Sequence, residues 1–276
     1  NPLRGLFLRY FLLKMIKDKL PDIGNEYESE NSKLEDTLKF IMQNLEEMNR
    51  LWIRLSTGCT GNEKLMREKE RNELKVLVGE NIIRLSSLNG LSLEIYKDEI
   101  LNKMINILLD SKDQLSQQYL MECIIHAFPD EYNIHCMDTI LDTCTRLVPS
   151  VDVKGLFISL MEKLAKFVGD TSKDQTEILE SAEKIFDLLK TNIDKIINDN
   201  SSGNMENLKL IELQVAFMKF TLKCCPNKLE TVNHIMQSSE KILSKSKNDV
   251  KKSQEGIKLV GRLLSAGSRW RTVWVG

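Results

Sequence analysis

Cys123, His126, His135 and Cys136 come closest to a reactive centre in this sequence, because two thiolates and two imidazoles form a common tetrahedral zinc set. Cys123 and His126 stand three apart on one helical face, and His135-Cys136 follow after a turn. Adjacent ligands point apart on a helix, however, and buried cysteines are ordinary core residues, so a core role is expected and no metal site. Cys224-Cys225 at a helix end admits only a strained vicinal disulfide, and two thiols are expected there. The carboxylate pairs Glu46/Glu47 and Asp187/Asp194 fall at helical spacing in a charge-rich chain and read as solvated faces. The sequence holds no phosphate-cradling glycine loop, no GxGxxG, no HExxH and no GxSxG, so no catalytic residue and no cofactor is assigned, and the expectation is a non-enzyme.

Three charged stretches remain. Glu63 to Lys75 alternates Lys and Arg with Glu at i,i+3 and i,i+4, the pattern of a solvated outer helix. Arg4, Arg9, Lys14, Lys17 and Lys19 oppose only Asp18 and form a basic face that suits anionic lipid or an acidic partner loop. Lys241, Lys245, Lys247, Lys251 and Lys252 form a second basic stretch, read as solubilising. Over 276 residues, 39 basic and 40 acidic side chains leave a net charge of -1, so no global field draws the chain to nucleic acid, and no nucleic-acid partner is expected.

The elements that position these residues are helical. Only 13 glycines and 5 prolines occur, too few for the turns of an all-β chain, and 42% of residues are hydrophobic, enough for a core. Six cysteines without a CxxC pair read as reduced thiols of a cytosolic protein. The longest apolar run, Leu6 to Ile16, is broken by Arg9 and Lys14 and is too short for a span or a signal peptide. The chain starts at Asn1 and reads as a fragment.

Asn1 caps a first helix, Pro2 sits in its first turn, and Leu20-Pro21-Asp22 stops it. Its apolar set, Leu3, Leu6, Phe7, Tyr10, Phe11 and Leu13, is too broad for a surface helix and predicts packing on two sides. Further helices are expected over Lys33–Leu55, Glu63–Leu88, Leu93–Leu109 with Ser92 as cap, and from a Ser111 cap to Phe128-Pro129-Asp130. Others follow over His135–Leu147, from Ser150 or Asp152 to Gly169, and over Thr176–Asn198, Met205–Cys225, Lys228–Leu243 and Asn248–Leu264. Trp52 and Tyr119 fall on apolar faces and read as core. About eleven helices with short links predict an all-α, right-handed solenoid of antiparallel pairs, HEAT/armadillo-like, over 1–266 as a single domain. Residues 267–276, Gly-Ser followed by Arg-Trp-Arg-Thr-Val-Trp-Val-Gly, read as a non-native or disordered tail.

Several long strings carry a resemblance. Asn1-Pro-Leu-Arg-Gly-Leu-Phe-Leu-Arg9, Glu47-Met-Asn-Arg-Leu-Trp-Ile-Arg54, Leu77-Val-Gly-Glu-Asn-Ile-Ile-Arg-Leu-Ser86 and Gln118-Tyr-Leu-Met-Glu-Cys-Ile-Ile-His-Ala-Phe-Pro-Asp-Glu131 resemble, in order, the large retromer scaffold family, vacuolar protein sorting protein thirty-five. Val151-Asp-Val-Lys-Gly-Leu-Phe-Ile158, Leu213-Gln-Val-Ala216 and Lys223-Cys-Cys-Pro226 continue it.

The resemblance implies a HEAT-like endosomal coat scaffold, here its N-terminal to middle part, acting in retrograde transport and organising an arrestin-like partner and cargo recruitment. The family's Pro-Arg-Leu-Tyr-Leu motif for the arrestin-like subunit falls upstream of Asn1, so weakened binding is expected. The metallophosphoesterase-like subunit grips the absent C-terminal half and is not expected to bind. Sorting nexins and a small GTPase are possible partners, and the implied place is cytoplasmic, peripheral on the endosomal membrane. Arg4, Arg9, Asn49 and Arg54 are the polar residues inside the matching strings, where a scaffold keeps groups for a partner or for a bond between repeats. The alternative is another helical-repeat adaptor, a nuclear transport or phosphatase scaffold, binding extended peptides.

Overall fold

The computed structural model describes residues 1–170, 175–199, 204–224 and 229–245, with residues 258, 259, 261, 262 and 265. The tail 267–276, Cys225 and most of the expected helix Asn248–Leu264 lie outside the described residues. The helices in chain order are α1 (Pro2–Ile16), α2 (Leu34–Arg54), α3 (Gly61–Ser86), α4 (93–111), α5 (Gln114–Ala127), α6 (Asp130–His135), α7 (Met137–Thr145), α8 (Val153–Asp170), α9 (Gln175–Asp199), α10 (Asn204–Cys224) and α11 (Leu229–Lys245). No sheet forms among the described residues; a lone bridge joins Ser29 and Ser32. The chain is an all-α protein with the stacked pairs of an α-solenoid.

Local chemistry sets the helix ends. The Asn1 carboxamide accepts from the Leu3 amide at 3.0 Å, and Pro2 follows where its missing N–H costs nothing. At α2 the Asp36 carboxylate reaches back to the Lys33 amide at 3.0 Å, and Glu35 and Asp36 complement the helix dipole. Ser92 caps α4 as expected, accepting from the Ile95 amide at 3.2 Å.

Other boundaries depart from the expectations. The first helix ends at Ile16, a turn ahead of the expected Leu20-Pro21 stop; Pro21 has no N–H to give the Lys17 carbonyl, and the Arg84 guanidinium donates to it instead at 3.0 Å. Ser111 is not the cap of α5: its hydroxyl donates to the Leu108 carbonyl within α4, and Asp113 caps instead, accepting from the Ser116 amide at 2.8 Å. Between them Lys112 adopts a left-handed backbone (φ +46°) that reverses the chain. Asp130 opens a six-residue helix that periodicity does not predict, and the helix expected from His135 is broken at Cys136.

Two units make up the chain: Asn1–Cys136 with Asp142–Val151, and Met137–Leu141 with residues from Asp152 onward. In the first, α2 pairs with α3 and α4 with α5, while α1, α3 and α5 form one layer and α2 and α4 the other. Asn44 meets Asn81 and Trp52 meets Arg71, so α2 and α3 run antiparallel. Asp113 meets Arg71 and Tyr119 lies over Gly79, so α3 and α5 run parallel. Leu108 meets Gln117 across the α4–α5 hairpin, and α2 is therefore parallel to α4.

The core of this unit is Leu38, Ile41, Leu45, Met48 and Trp52 of α2 against Val78, Ile82 and Leu85 of α3, Leu108 of α4 and Leu120 and Ile124 of α5. Full burial of each aliphatic side chain stabilises by about 1.5–3 kcal/mol. Residues 96–101 widen α4 into a π-turn, which delivers Tyr96 to the core against Phe128 (4.6 Å) and Tyr132 (5.2 Å).

In the second unit α10 is the centre, packing on α8, α9 and α11. Its Ile211, Leu213, Phe217, Met218 and Phe220 are buried, and Phe217 stacks on Phe186 of α9 at 5.3 Å. Lys209 pairs with Asp152 at 3.2 Å and His234 with Asp194 at 3.6 Å.

Candidate functional site

Much of the polar chemistry of the first unit is spent inside it. Arg9 of α1, half-buried, donates to the Asn44 side-chain oxygen at 3.2 Å, and the Asn44 amide donates to Asn81 of α3 at 2.8 Å. Asn49 is buried and accepts from the Ser116 hydroxyl of α5 at 2.8 Å. A buried amide without a partner costs about 1–3 kcal/mol, so each of these bonds fixes which helix faces which. Arg4 and Arg54 are exposed, Arg54 as the last residue of α2.

The run Glu63–Lys75 is corrected at one position. Arg71, 1% exposed, is buried rather than solvated. Its guanidinium donates to Asp113 at 2.6 Å and to Ser56 and Glu68 at 2.9 Å, and it covers the Trp52 ring at 5.2 Å, while the Trp52 indole donates to the Arg71 carbonyl. Trp52 is core as expected, whereas Tyr119 is half-buried at its side, 5.9 Å away.

Cys123, His126, His135 and Cys136 do not gather: among the described residues no three His, Cys, Asp or Glu side chains stand where they would hold a metal. Cys59, Cys123, Cys136 and Cys144 are free thiols. Burial pushes Cys144 up to about 12 and Cys123 up to about 11, which makes both poor nucleophiles. Glu46 and Glu47 both hold Arg50, at 2.6 and 3.1 Å.

Two surfaces of the first unit bear on binding. The first is the outer side of α1, where Leu8 and Met15 are 70% and 74% exposed and Phe7, Phe11 and Leu12 extend the stripe. The expected packing on two sides is present on one, through Leu6 and Leu13. Lys14 lies over the Tyr10 ring at 5.8 Å.

The second is a groove of about 570 Å³ between the parallel helices α2 and α4. Met42, Ile53 and Ile107 give it apolar patches, and Lys39, Gln43, Glu46, Arg50, Lys103, Asn106 and Asp110 line it. Asn49 and Ser111 also reach it; the Asn49 side-chain oxygen accepts from Ser116 and the Ser111 hydroxyl donates to Leu108. Arg50 is tied to Glu46 and Glu47, and Lys103 to Glu99 at 3.6 Å. Lys39, Gln43, Asn106 and Asp110 have no side-chain partner among the described residues and present a cation, two amides and an anion.

Of the four residues singled out in the sequence, the structure puts Asn49 at the groove wall and Arg9 in the α1–α2–α3 relay, and leaves Arg4 and Arg54 on the surface. The groove residues escaped sequence reading. Lys39, Gln43, Glu46 and Arg50 do form a polar stripe at steps of four, three and four, and Lys103, Asn106 and Asp110 another at three and four. No feature of the sequence pairs the two stripes.

Among the described residues no helix is long and apolar enough to cross a membrane. Residues 1–271 match the family model described as vacuolar protein sorting-associated protein 35. The chain is 38% identical over 253 residues to vacuolar protein sorting-associated protein 35 of Dictyostelium discoideum, covering 91% of this chain and 31% of that protein. It is 38% identical over 236 residues to protein 35B of Arabidopsis thaliana (86% and 29%), and 38% over 197 residues to the Schizosaccharomyces pombe protein (68% and 23%). The chain thus spans less than a third of the length of these relatives.

Proposed function

The chain belongs to the vacuolar protein sorting-associated protein 35 family, and on that footing we propose that it is a non-enzymatic scaffold segment of the retromer cargo-selective complex in endosomal retrograde transport. Its work is geometric. Stacked helix pairs hold partner-binding side chains at fixed spacing, and the energy of folding goes into that spacing rather than into a reactive pocket.

The observation that supports this most directly is the fate of the polar residues. Arg9, Asn44, Asn49, Asn81 and Arg71 tie four helices together, where an enzyme would aim such groups into a cleft. In this reading one solenoid runs through residues 1–266, an arrestin-like subunit engages its N-terminal side, and the protein is cytoplasmic and peripheral on endosomes through its partners. Sorting nexins and a small GTPase are further candidate partners, and the metallophosphoesterase-like subunit is not expected to bind this segment. Arg4 and Arg54, exposed within the family strings, are the residues proposed to touch partners.

Calorimetric titration of the arrestin-like subunit into this chain, and into a form extended upstream through the Pro-Arg-Leu-Tyr-Leu motif, tests the reading. Binding to the extended form, with weak or no binding to the shorter one, is the expected result. Two folded helical proteins that both fail to bind would remove the retromer assignment.

A further inference from the structure

We propose that the groove between α2 and α4 docks a short extended peptide of another protein, carrying a carboxylate toward Lys39, apolar side chains in its middle and a cation toward Asp110. The inference rests on the scaffold reading and gives this segment a recruiting site of its own.

Length is the first argument. About 21 Å of helix axis separates Lys39 from Ile53, the run of α2 along the groove. A strand advances about 3.3 Å per residue, so about six extended residues fill it, whereas a helix of that length is only about twice as long as it is wide.

Hydrogen-bonding type is the second. Gln43 stands on one helix and Asn106 on the other, and each amide offers one donor group and one acceptor, the complement of a peptide unit. Neither is engaged within the described residues, in contrast to Asn44 and Asn81, whose amides are bonded at both ends inside the stack.

Charge arrangement is the third. The interior charges are already neutralised, since Arg50 holds Glu46 and Glu47 and Lys103 holds Glu99. The two groups left without a counter-ion are Lys39, toward the N-terminal end of α2, and Asp110, toward the C-terminal end of the parallel helix α4. The groove therefore has polarity, and a ligand with one charge at each end fits it in one orientation. Met42, Ile53 and Ile107 offer the apolar contact between. A nucleic acid backbone would meet Glu46 and Asp110.

The test is fluorescence anisotropy on the whole chain with three labelled peptides of one composition. Asp-Asp-Ser-Leu-Leu-Ser-Lys-Lys and its reverse segregate the charges in the two chain directions, and Asp-Lys-Ser-Leu-Leu-Ser-Asp-Lys interleaves them. One segregated peptide is expected to bind at least tenfold more tightly than the interleaved one. Lys39→Glu and Asp110→Lys should each weaken it at least fivefold, and Gln43→Leu with Asn106→Leu should weaken it further. All four positions are exposed, so the fold is retained, which circular dichroism checks. Equal affinity for the three peptides, affinity unchanged in Lys39→Glu and Asp110→Lys, or no binding at millimolar peptide would overturn the proposal. The calorimetric test is read independently, so a null result here with the arrestin-like subunit still bound removes the groove and leaves the scaffold reading.

Discussion

Replacing Arg71 probes the assembly of the first unit at its most charged buried point. The guanidinium is 1% exposed, spans from Glu68 and Ser56 to Asp113, and lies against Trp52. Arg71→Met keeps the length of the stem and so most of the packing on Trp52, but removes all three charge-assisted bonds. Breaking a buried ion pair by deleting one partner costs about 3–5 kcal/mol. Here Glu68 and Asp113 are 36% and 21% exposed and regain water, and Asp113 still caps α5 through the Ser116 amide, so the low end applies. The expected loss is about 3 kcal/mol. Arg71→Lys should lose about 1–2 kcal/mol, because one ammonium replaces a fork that reaches two carboxylates.

Urea unfolding followed by circular dichroism and tryptophan fluorescence measures these losses, and a double-mutant cycle with Asp113→Asn isolates the pair. Asparagine retains the cap, so the coupling should reflect the ion pair and reach at least about 1.5 kcal/mol. A loss below about 1 kcal/mol for Arg71→Met at unchanged m-value, or coupling within about 0.5 kcal/mol of zero, would refute the reasoning that Arg71 holds α2, α3 and α5 together.

Three further outcomes follow from named contacts. Gly79→Ala adds helix propensity of about 1 kcal/mol, yet its Cβ would collide with the Tyr119 hydroxyl, and overpacking costs about 1–3 kcal/mol. Net destabilisation is therefore expected, and Tyr119→Phe should restore much of it; a thermal melt in which Gly79→Ala is stabilising contradicts the close approach. Cys144 is held neutral by burial, with its pKa pushed up to about 12 from an ordinary value near 9, so above pH 9 the unfolded chain releases a proton that the folded chain keeps. Stability should fall as pH rises from 9 towards 12, by about 1.4 kcal/mol per pH unit for this thiol, and Cys144→Ala should flatten that slope; equal slopes would argue against a buried neutral thiol. The open stripe of Phe7, Leu8, Phe11, Leu12 and Met15 should drive concentration-dependent self-association in sedimentation velocity, abolished by Leu8→Glu with Met15→Glu, and a monomer at the highest concentrations reached would count against it.

Most of the fold was legible in the sequence. Apolar residues three and four apart placed α2, α3, α9, α10 and α11 within two residues of their observed ends, because burial of one face is a local, periodic property. Short-range chemistry also fixed several caps, Asn1 and Ser92 among them. The stop of α1 ahead of Pro21 was legible too, since proline has no N–H for the Lys17 carbonyl; what the sequence hid is that Arg84, 67 residues further on, donates to that carbonyl instead. The six-residue helix at Asp130 and the π-turn at Tyr96 were also invisible, since both answer to the packing of Tyr96 against Phe128 and Tyr132.

By itself the sequence determined the helices, their apolar faces and the family to which their strings belong. Tertiary structure decided which polar residues are spent and which remain available. Arg71 sits in a run whose i,i+3 and i,i+4 charges satisfy one another on paper, and only Trp52 and Asp113, 19 and 42 residues away, bury it. Asn49 sits in a string that offers it to a partner or to a neighbouring repeat, and Ser116, 67 residues later, takes its side-chain oxygen. Lys39 and Asp110 become the two ends of one groove only because α2 and α4 lie parallel, and that follows from a chain of contacts through α3 and α5. Periodicity fixes the rotation of a side chain about its own helix axis; the register between helices depends on contacts whose partners no local pattern names.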